Sequence, residues 1–139
     1  DTASRARRRR QRLRRSAVRL AQARACRLRE ALPWLAASPD GLVLGRDGEP
    51  VATVEVKSYQ PQASRGSLVW AQLQGSMALA SGSFGRPVRW CSLVGPSKVQ
   101  HVPFDAVAWK ALLEKLRRFY FEVFLPIAGA HAAERWAER

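Results

Sequence analysis

Acidic residues are scarce in this chain: Asp and Glu number 11 against 24 Lys and Arg, a formal net charge of +13. That imbalance disfavours a cationic partner and points to an anionic polymer, with nucleic acid the first candidate and an acidic membrane surface the second. Cysteine is nearly absent. Cys26 and Cys91 are the only two, too few for a disulfide scaffold and without the clustered partners that a zinc site needs. They read as reduced, packed thiols, with a disulfide between them as the alternative. Long hydrophobic runs are also missing. Polar residues interrupt every apolar stretch well short of the roughly 18 residues that span a bilayer, so the expectation is a soluble protein with no membrane partner. No internal repeat is evident.

Hydrophobic residues nevertheless make up 47% of the 139 positions, enough for one folded domain and its core. The positive charge is concentrated at the start. Between Arg5 and Arg29 there are more than ten arginines and no acid. Arg7, Arg8, Arg9, Arg10, Arg12, Arg14 and Arg15 are the candidates for an arm that touches phosphates without reading sequence. A targeting or nuclear-localisation signal is the other reading of the same run. The Arg- and Ala-rich start at Asp1 also resembles the segment directly behind an organelle transit peptide, so the chain reads as a processed product or a piece of something longer. An intracellular location is expected: nucleus or organelle (mitochondrion) in a eukaryote, cytoplasm otherwise.

Leu13, Ala17, Leu20, Ala21 and Leu28 recur at roughly helical spacing, so residues 5–31 are expected to form a basic helix or arm. Pro39-Asp40-Gly41 is a turn signal. Leu42 to Leu44 reads as a short strand, and residues 46–50 as a hairpin turn. Residues 51–57 then alternate as a strand, placing Thr53, Glu55 and Lys57 on one face and Ala52, Val54 and Val56 on the other, with the apolar face expected in the core. After a loop over 59–67, a helix is predicted from Leu68 to Ala80. Within it, Gln72 falls in a stripe with Leu68, Gly75 and Leu79, and a buried amide there needs partners: it is either a structural polar link or a site residue. Gln74, at the edge of the apolar face, reads as structural. Val88 to Val94 and Val99 to Val102 read as a strand pair. Asp105 is suited to cap a long helix reaching about Val123 or Phe124, ended by Pro126, with a weak helical tail beyond. His101 and His131 have no partner at ligand spacing.

An aspartate at a turn, followed by a strand presenting Glu-x-Lys on one face, has a chemical meaning. Two carboxylates suit a hard cation such as Mg²⁺, or Mn²⁺, which prefers oxygen ligands and keeps several waters. The lysine adds a positive charge that orients or helps deprotonate an attacking water and offsets charge on a phosphate. Asp40, Glu55 and Lys57 are therefore the candidate catalytic residues, and Asp40 and Glu55 the candidate metal ligands.

The run from Pro33 to Val43, containing Ser38-Pro39-Asp40-Gly41-Leu42, followed by Val54-Glu55-Val56-Lys57, resembles the signature of YqaJ-type viral recombinases, relatives of lambda exonuclease and herpesvirus alkaline nuclease in the PD-(D/E)XK superfamily. Trp70-Ala71-Gln72-Leu73-Gln74 resembles the family's Ala-Gln-x-Gln helix, and the resemblance covers roughly residues 32–125. It implies an α/β (α+β) core with a central mixed sheet of about four to five strands flanked by helices, Mg²⁺ dependence, and exonucleolytic attack on duplex DNA in recombination or repair. It also implies the Val56 carbonyl as a further metal ligand, Lys57 as the residue that activates water, and Gln72 as a support of the site. The domain division expected is an arm over 1–31, the core over 32–125 and a tail over 126–139. The chain departs from the family in offering only Glu30 ahead of Pro39-Asp40, and in carrying Ser58 where relatives commonly have cysteine. Those departures, with the basic arm, keep a second reading open: a nuclease fold without catalysis, binding rRNA within a larger ribonucleoprotein assembly such as an organellar ribosome.

Overall fold

Strand β5, Pro50–Val56, is the axis of the fold, and the computed structural model places every other element of the main sheet by reference to it. The structure describes residues 19–22, 26–27 and 32–137. Among them β1 is Arg19–Gln22, β2 Cys26–Arg27, β3 Ala36–Ala37, β4 Gly41–Leu44, β6 Trp90–Val94 and β7 Val99–Pro103. The sheet order is β1-β4-β5-β6-β7, with β2 and β3 forming a separate antiparallel pair. β4 and β5 form an antiparallel hairpin, β5 and β6 run parallel, and β6 and β7 form a second hairpin. The fold is therefore α+β around a mixed sheet. Parallel strands need a long crossover, and helix α1, Leu68–Phe84, supplies it between β5 and β6.

Helix α1 begins where Ser67 accepts a hydrogen bond from the Trp70 amide at 3.1 Å, a side-chain N-cap. It runs four residues beyond the expected Ala80 and stops at Gly85, whose φ of 65° is the left-handed cap that glycine adopts without penalty. Leu73, Met77, Leu79 and Ala80 of α1 pack with Cys91, Leu93 and Val102 of the sheet, together with Ala63 and Val88, into one core. Each large aliphatic side chain buried there contributes about 1.5–3 kcal/mol.

The register fixes which face of the sheet meets that core. Leu42 pairs with Thr53, Thr53 with Cys91, Glu55 with Leu93, and Cys91 with Val102, so all of these share one face. Thr53 is fully buried and Glu55 is 5% exposed, whereas Val56 is 54% exposed. This corrects the expectation from strand alternation: the face bearing Thr53, Glu55 and Lys57 lies under the helix, and the Ala52, Val54, Val56 face is the more open one, although Ala52 is itself buried in register with Val43 and Trp90. Hydrophobicity alone favours the other assignment. The carboxylate is tolerated inside because the side chains of Lys57 and Gln72 partner it.

A second correction concerns residues 5–31. Arg19–Gln22 and Cys26–Arg27 are strands and not helix, because they pair with β4 and β3. The arginines from Arg7 to Arg15 lie outside the described residues.

The described chain divides into two compact units, the first closing at Phe104 and the second starting at Asp105; the stretch expected as the core, 32–125, spans that boundary. In the second unit, helix α2, Ala106–Arg118, is capped by the Asp105 carboxylate, which accepts from the Ala108 amide at 2.9 Å. The helix does not end at Pro126. It widens into a π-helical turn over Phe119–Phe124 and continues as α3, Leu125–Ala137. The physical reason is positional. In the π register the Leu125 amide donates to the Tyr120 carbonyl, so the wider turn lies directly before Pro126 and makes room for a ring that would clash with the carbonyl four residues earlier in a regular α turn. Among the described residues no helix is long and apolar enough to cross a membrane.

Candidate active site

The carboxyl end of β5 is where the polar groups gather. Lys57 Nζ donates to Glu55 Oε1 at 2.7 Å and to Gln72 Oε1 at 3.2 Å, and Gln72 Nε2 donates to the same Glu55 Oε1 at 2.9 Å. Three side chains from one strand and the crossover helix thus close a triangle. Glu55 and Lys57 meet because residues two apart on a strand share a face. Gln72 reaches them from the second turn of α1. Its amide orients the carboxylate and the ammonium together, since its oxygen accepts from one and its nitrogen donates to the other.

Asp40 joins from the bend just before β4. The hydrogen-bonded register of β4 with β5 ends at the pair Gly41 and Val54, so the Val56 amide lies past the end of β4 with no strand partner on that side. The Asp40 carboxylate supplies one, accepting from the Val56 N–H at 2.6 Å. A strand residue's N–H and C=O leave the backbone on the same side, so the Val56 carbonyl emerges on the edge where Asp40 sits. The sequence-predicted residues Asp40, Glu55, Val56, Lys57 and Gln72 are therefore all brought to one end of the sheet.

Electrostatics follow from this geometry. The hydrogen bond to Glu55 holds the Lys57 ammonium above its ordinary pKa, against a smaller opposing effect of burial, and the negative charge of Asp40 adds in the same direction. Lys57 is accordingly a cation at neutral pH. On the core side of the same face, burial pushes the Cys91 thiol up to about 11. Cys91 is a free, buried, unreactive thiol packed under the site.

Several expectations need revision. Gln72 is exposed, and Leu68, at the head of its stripe, is 90% exposed, so the amide owes its place to Glu55 and Lys57 and not to burial among apolar neighbours. Gln74 is the buried amide: it is fully enclosed and donates to the Pro103 carbonyl at 3.0 Å, a structural link as expected. His101 bonds Ser92 at 3.1 Å between its Nδ1 and the hydroxyl, and His131 lies 3.6 Å from Glu134. Among the described residues there is no group of three or more His, Cys, Asp or Glu side chains placed to hold a metal ion.

The donor set nonetheless fits one kind of ion. Two carboxylates and a main-chain carbonyl are oxygen donors only, which suits Mg²⁺ or Mn²⁺. These ions commonly take one or two carboxylates and fill their remaining positions with water and substrate phosphate. Glu55 already holds a cation, the Lys57 ammonium, at 2.7 Å.

Alternation over residues 51–57 locates the strand residues of the site, but two glutamines that tie the β5–α1 connection to the β6–β7 hairpin carry no sequence signal. Gln60 and Gln100 act across 37 residues of chain, and isolated glutamines in a loop and a strand look like solvated surface. No protein-family model, curated protein or solved structure matches the chain.

Proposed function

We propose that the chain is a metal-dependent nuclease of the PD-(D/E)XK type that hydrolyses phosphodiester bonds of DNA in the exonuclease-like manner of recombination and repair enzymes. The observation that carries this reading is the gathering of Asp40, Glu55, Lys57 and Gln72 at the carboxyl end of β5. The sequence of hairpin, crossover helix and parallel return strand supports the assignment of a PD-(D/E)XK core, as does the resemblance of its motifs to YqaJ-type recombinases. In α/β sheets, ligand sites favour the carboxyl ends of parallel strands.

In this reading Asp40, Glu55 and the Val56 carbonyl hold Mg²⁺ or Mn²⁺. Bound there, the ion supplies a lowered pKa for water and polarisation of a phosphoryl oxygen. The chain's own residues do the rest. Lys57 places a fixed positive charge beside the reacting phosphate, which offsets the charge that builds up during attack and orients the water by a donated hydrogen bond. Gln72 holds Lys57 and Glu55 in register, so little reorganisation is needed when the substrate arrives. Asp40 is oriented by the Val56 amide. The net charge of +13 draws the polyanion to the protein and binds its backbone without regard to sequence, with a strong dependence on salt.

Linear duplex DNA incubated with the full chain tests the reading. Degradation that requires Mg²⁺ or Mn²⁺ and stops with a chelator is the expected result. A folded protein that binds DNA but leaves it intact at any divalent concentration would overturn it. That outcome would favour a nuclease fold that binds nucleic acid, such as rRNA in a ribonucleoprotein assembly, without cutting it. One observation favours that second reading: Glu55 Oε1 already accepts from both Lys57 and Gln72, so the oxygen that would bind a metal is engaged by the chain's own side chains.

A further inference from the structure

The connection from β5 to α1 leaves the candidate site at Lys57 and returns to it at Gln72, and two glutamine amides pin it to the β6–β7 hairpin. Gln60 Oε1 accepts three hydrogen bonds from the hairpin turn: the Ser97 amide at 3.0 Å, the Ser97 hydroxyl at 2.7 Å and the Lys98 amide at 3.1 Å. From the opposite direction Gln100, on β7, brackets one residue of the connection. Its Oε1 accepts from the Ala63 amide at 3.3 Å and its Nε2 donates to the Ala63 carbonyl at 3.4 Å. Lys57 itself is tied to β6 through its amide and the Val94 carbonyl at 2.9 Å.

Gly95 makes the seat for Gln60. It has no positive φ, so its conformation does not require glycine. The contact with Gln60 does: a Cβ at this position would lie 2.6 Å from Gln60 Oε1, 2.7 Å from Nε2 and 2.8 Å from Cδ, so the amide, the far end of a flexible side chain, would have to leave its three hydrogen bonds. The turn is closed by the Gly95 amide donating to the Lys98 carbonyl at 3.0 Å. An amide lying close over bare backbone and accepting three bonds is a lock, three residues from the lysine of the site.

We infer that Gln60 is a positioning residue: locked against Gly95, it fixes the β5–α1 connection so that Lys57 meets Glu55 and Gln72. The inference deepens the nuclease reading and rests on it for its catalytic consequence, but not for its structural one. Because Oε1 receives all three bonds, what the lock needs is an acceptor of this size. A carboxylate satisfies that need and a thioether does not.

Four variants of the full chain test it. Gln60→Met is expected to lower kcat about 10- to 100-fold with KM nearly unchanged, since displacing a reacting group by about 1 Å costs that much. Gln60→Glu is expected to restore the wild-type rate. Gly95→Ala is expected to reproduce the loss by pushing the amide out, and Gln60→Ala with Gly95→Ala is expected to be no worse than the single change. Hydrogen exchange over residues 57–66 and the NMR signal of the Lys57 ammonium are read in parallel. Both should change in Gln60→Met and remain as wild type in Gln60→Glu. If the wild type hydrolyses nothing, the nuclease reading fails while exchange and NMR still decide the lock. Wild-type exchange and an unmoved Lys57 signal in Gln60→Met would overturn it, as would a Gln60→Glu variant no better than Gln60→Met.

Discussion

Glu55→Gln is expected to lower the rate of DNA hydrolysis by about two to four orders of magnitude while the fold remains intact. The substitution keeps the size of the side chain and an oxygen able to accept from Lys57 and Gln72, so the triangle of hydrogen bonds retains its shape. What it removes is the negative charge that a divalent cation needs. Lys57→Ala is the more obvious change and the less clean one. It removes the ammonium bonded at 2.7 Å to a carboxylate on a residue only 5% exposed, and stranding a buried charge in this way costs about 3–5 kcal/mol when its partner is fully desolvated. With the Lys57 side chain 20% exposed, the cost falls below that range, but it still mixes a stability effect with a catalytic one. Steady-state rates on linear duplex DNA, with circular dichroism to verify folding, measure the effect. A Glu55→Gln enzyme with wild-type activity would remove Glu55 from the chemistry.

Leu73→Ala is expected to destabilise the first unit by about 2–5 kcal/mol, the range for deleting a leucine from a core that cannot collapse around the gap. Leu73 is fully buried on the face of α1 that meets the sheet, and it packs with Met77, Cys91 and Leu93. It is the next residue after Gln72, so its loss also loosens the helix turn that carries the site amide. Urea unfolding monitored by fluorescence gives the number. A change of less than about 1 kcal/mol would mean that α1 is not the principal cover of this sheet face.

How far the sequence discloses this arrangement depends on which physical signal each residue carries. The alternation from Val51 to Lys57 announces a strand with Glu55 and Lys57 on one face, and the Pro39-Asp40-Gly41 turn announces the hairpin partner. Local sequence carries both signals, and both elements lie where expected. The choice of face is not legible, because it depends on where a crossover helix packs. Burial of Thr53 and Glu55 runs against hydrophobicity, and for Glu55 it is offset only through the hydrogen bonds to Lys57 and Gln72. The motif reaches the place of Gln72 beside Glu55, while the burial that helical spacing suggests for Gln72 belongs instead to Gln74. At the far end, Pro126 is a helix breaker by rule, yet the helix passes it, with the wider π turn over Phe119–Phe124 directly before it. Gln60 and Gly95 show the remaining gap: their contact joins positions far apart in sequence, and neither residue type announces a partner.

Convergence of Asp40 and Glu55 with the Val56 carbonyl on a single divalent cation is the central claim. Calorimetric titration of Mn²⁺ into the full chain, alongside Asp40→Asn and Glu55→Gln, tests this most directly. One site that disappears in each variant is the predicted result; an isotherm that either substitution leaves unchanged would contradict it.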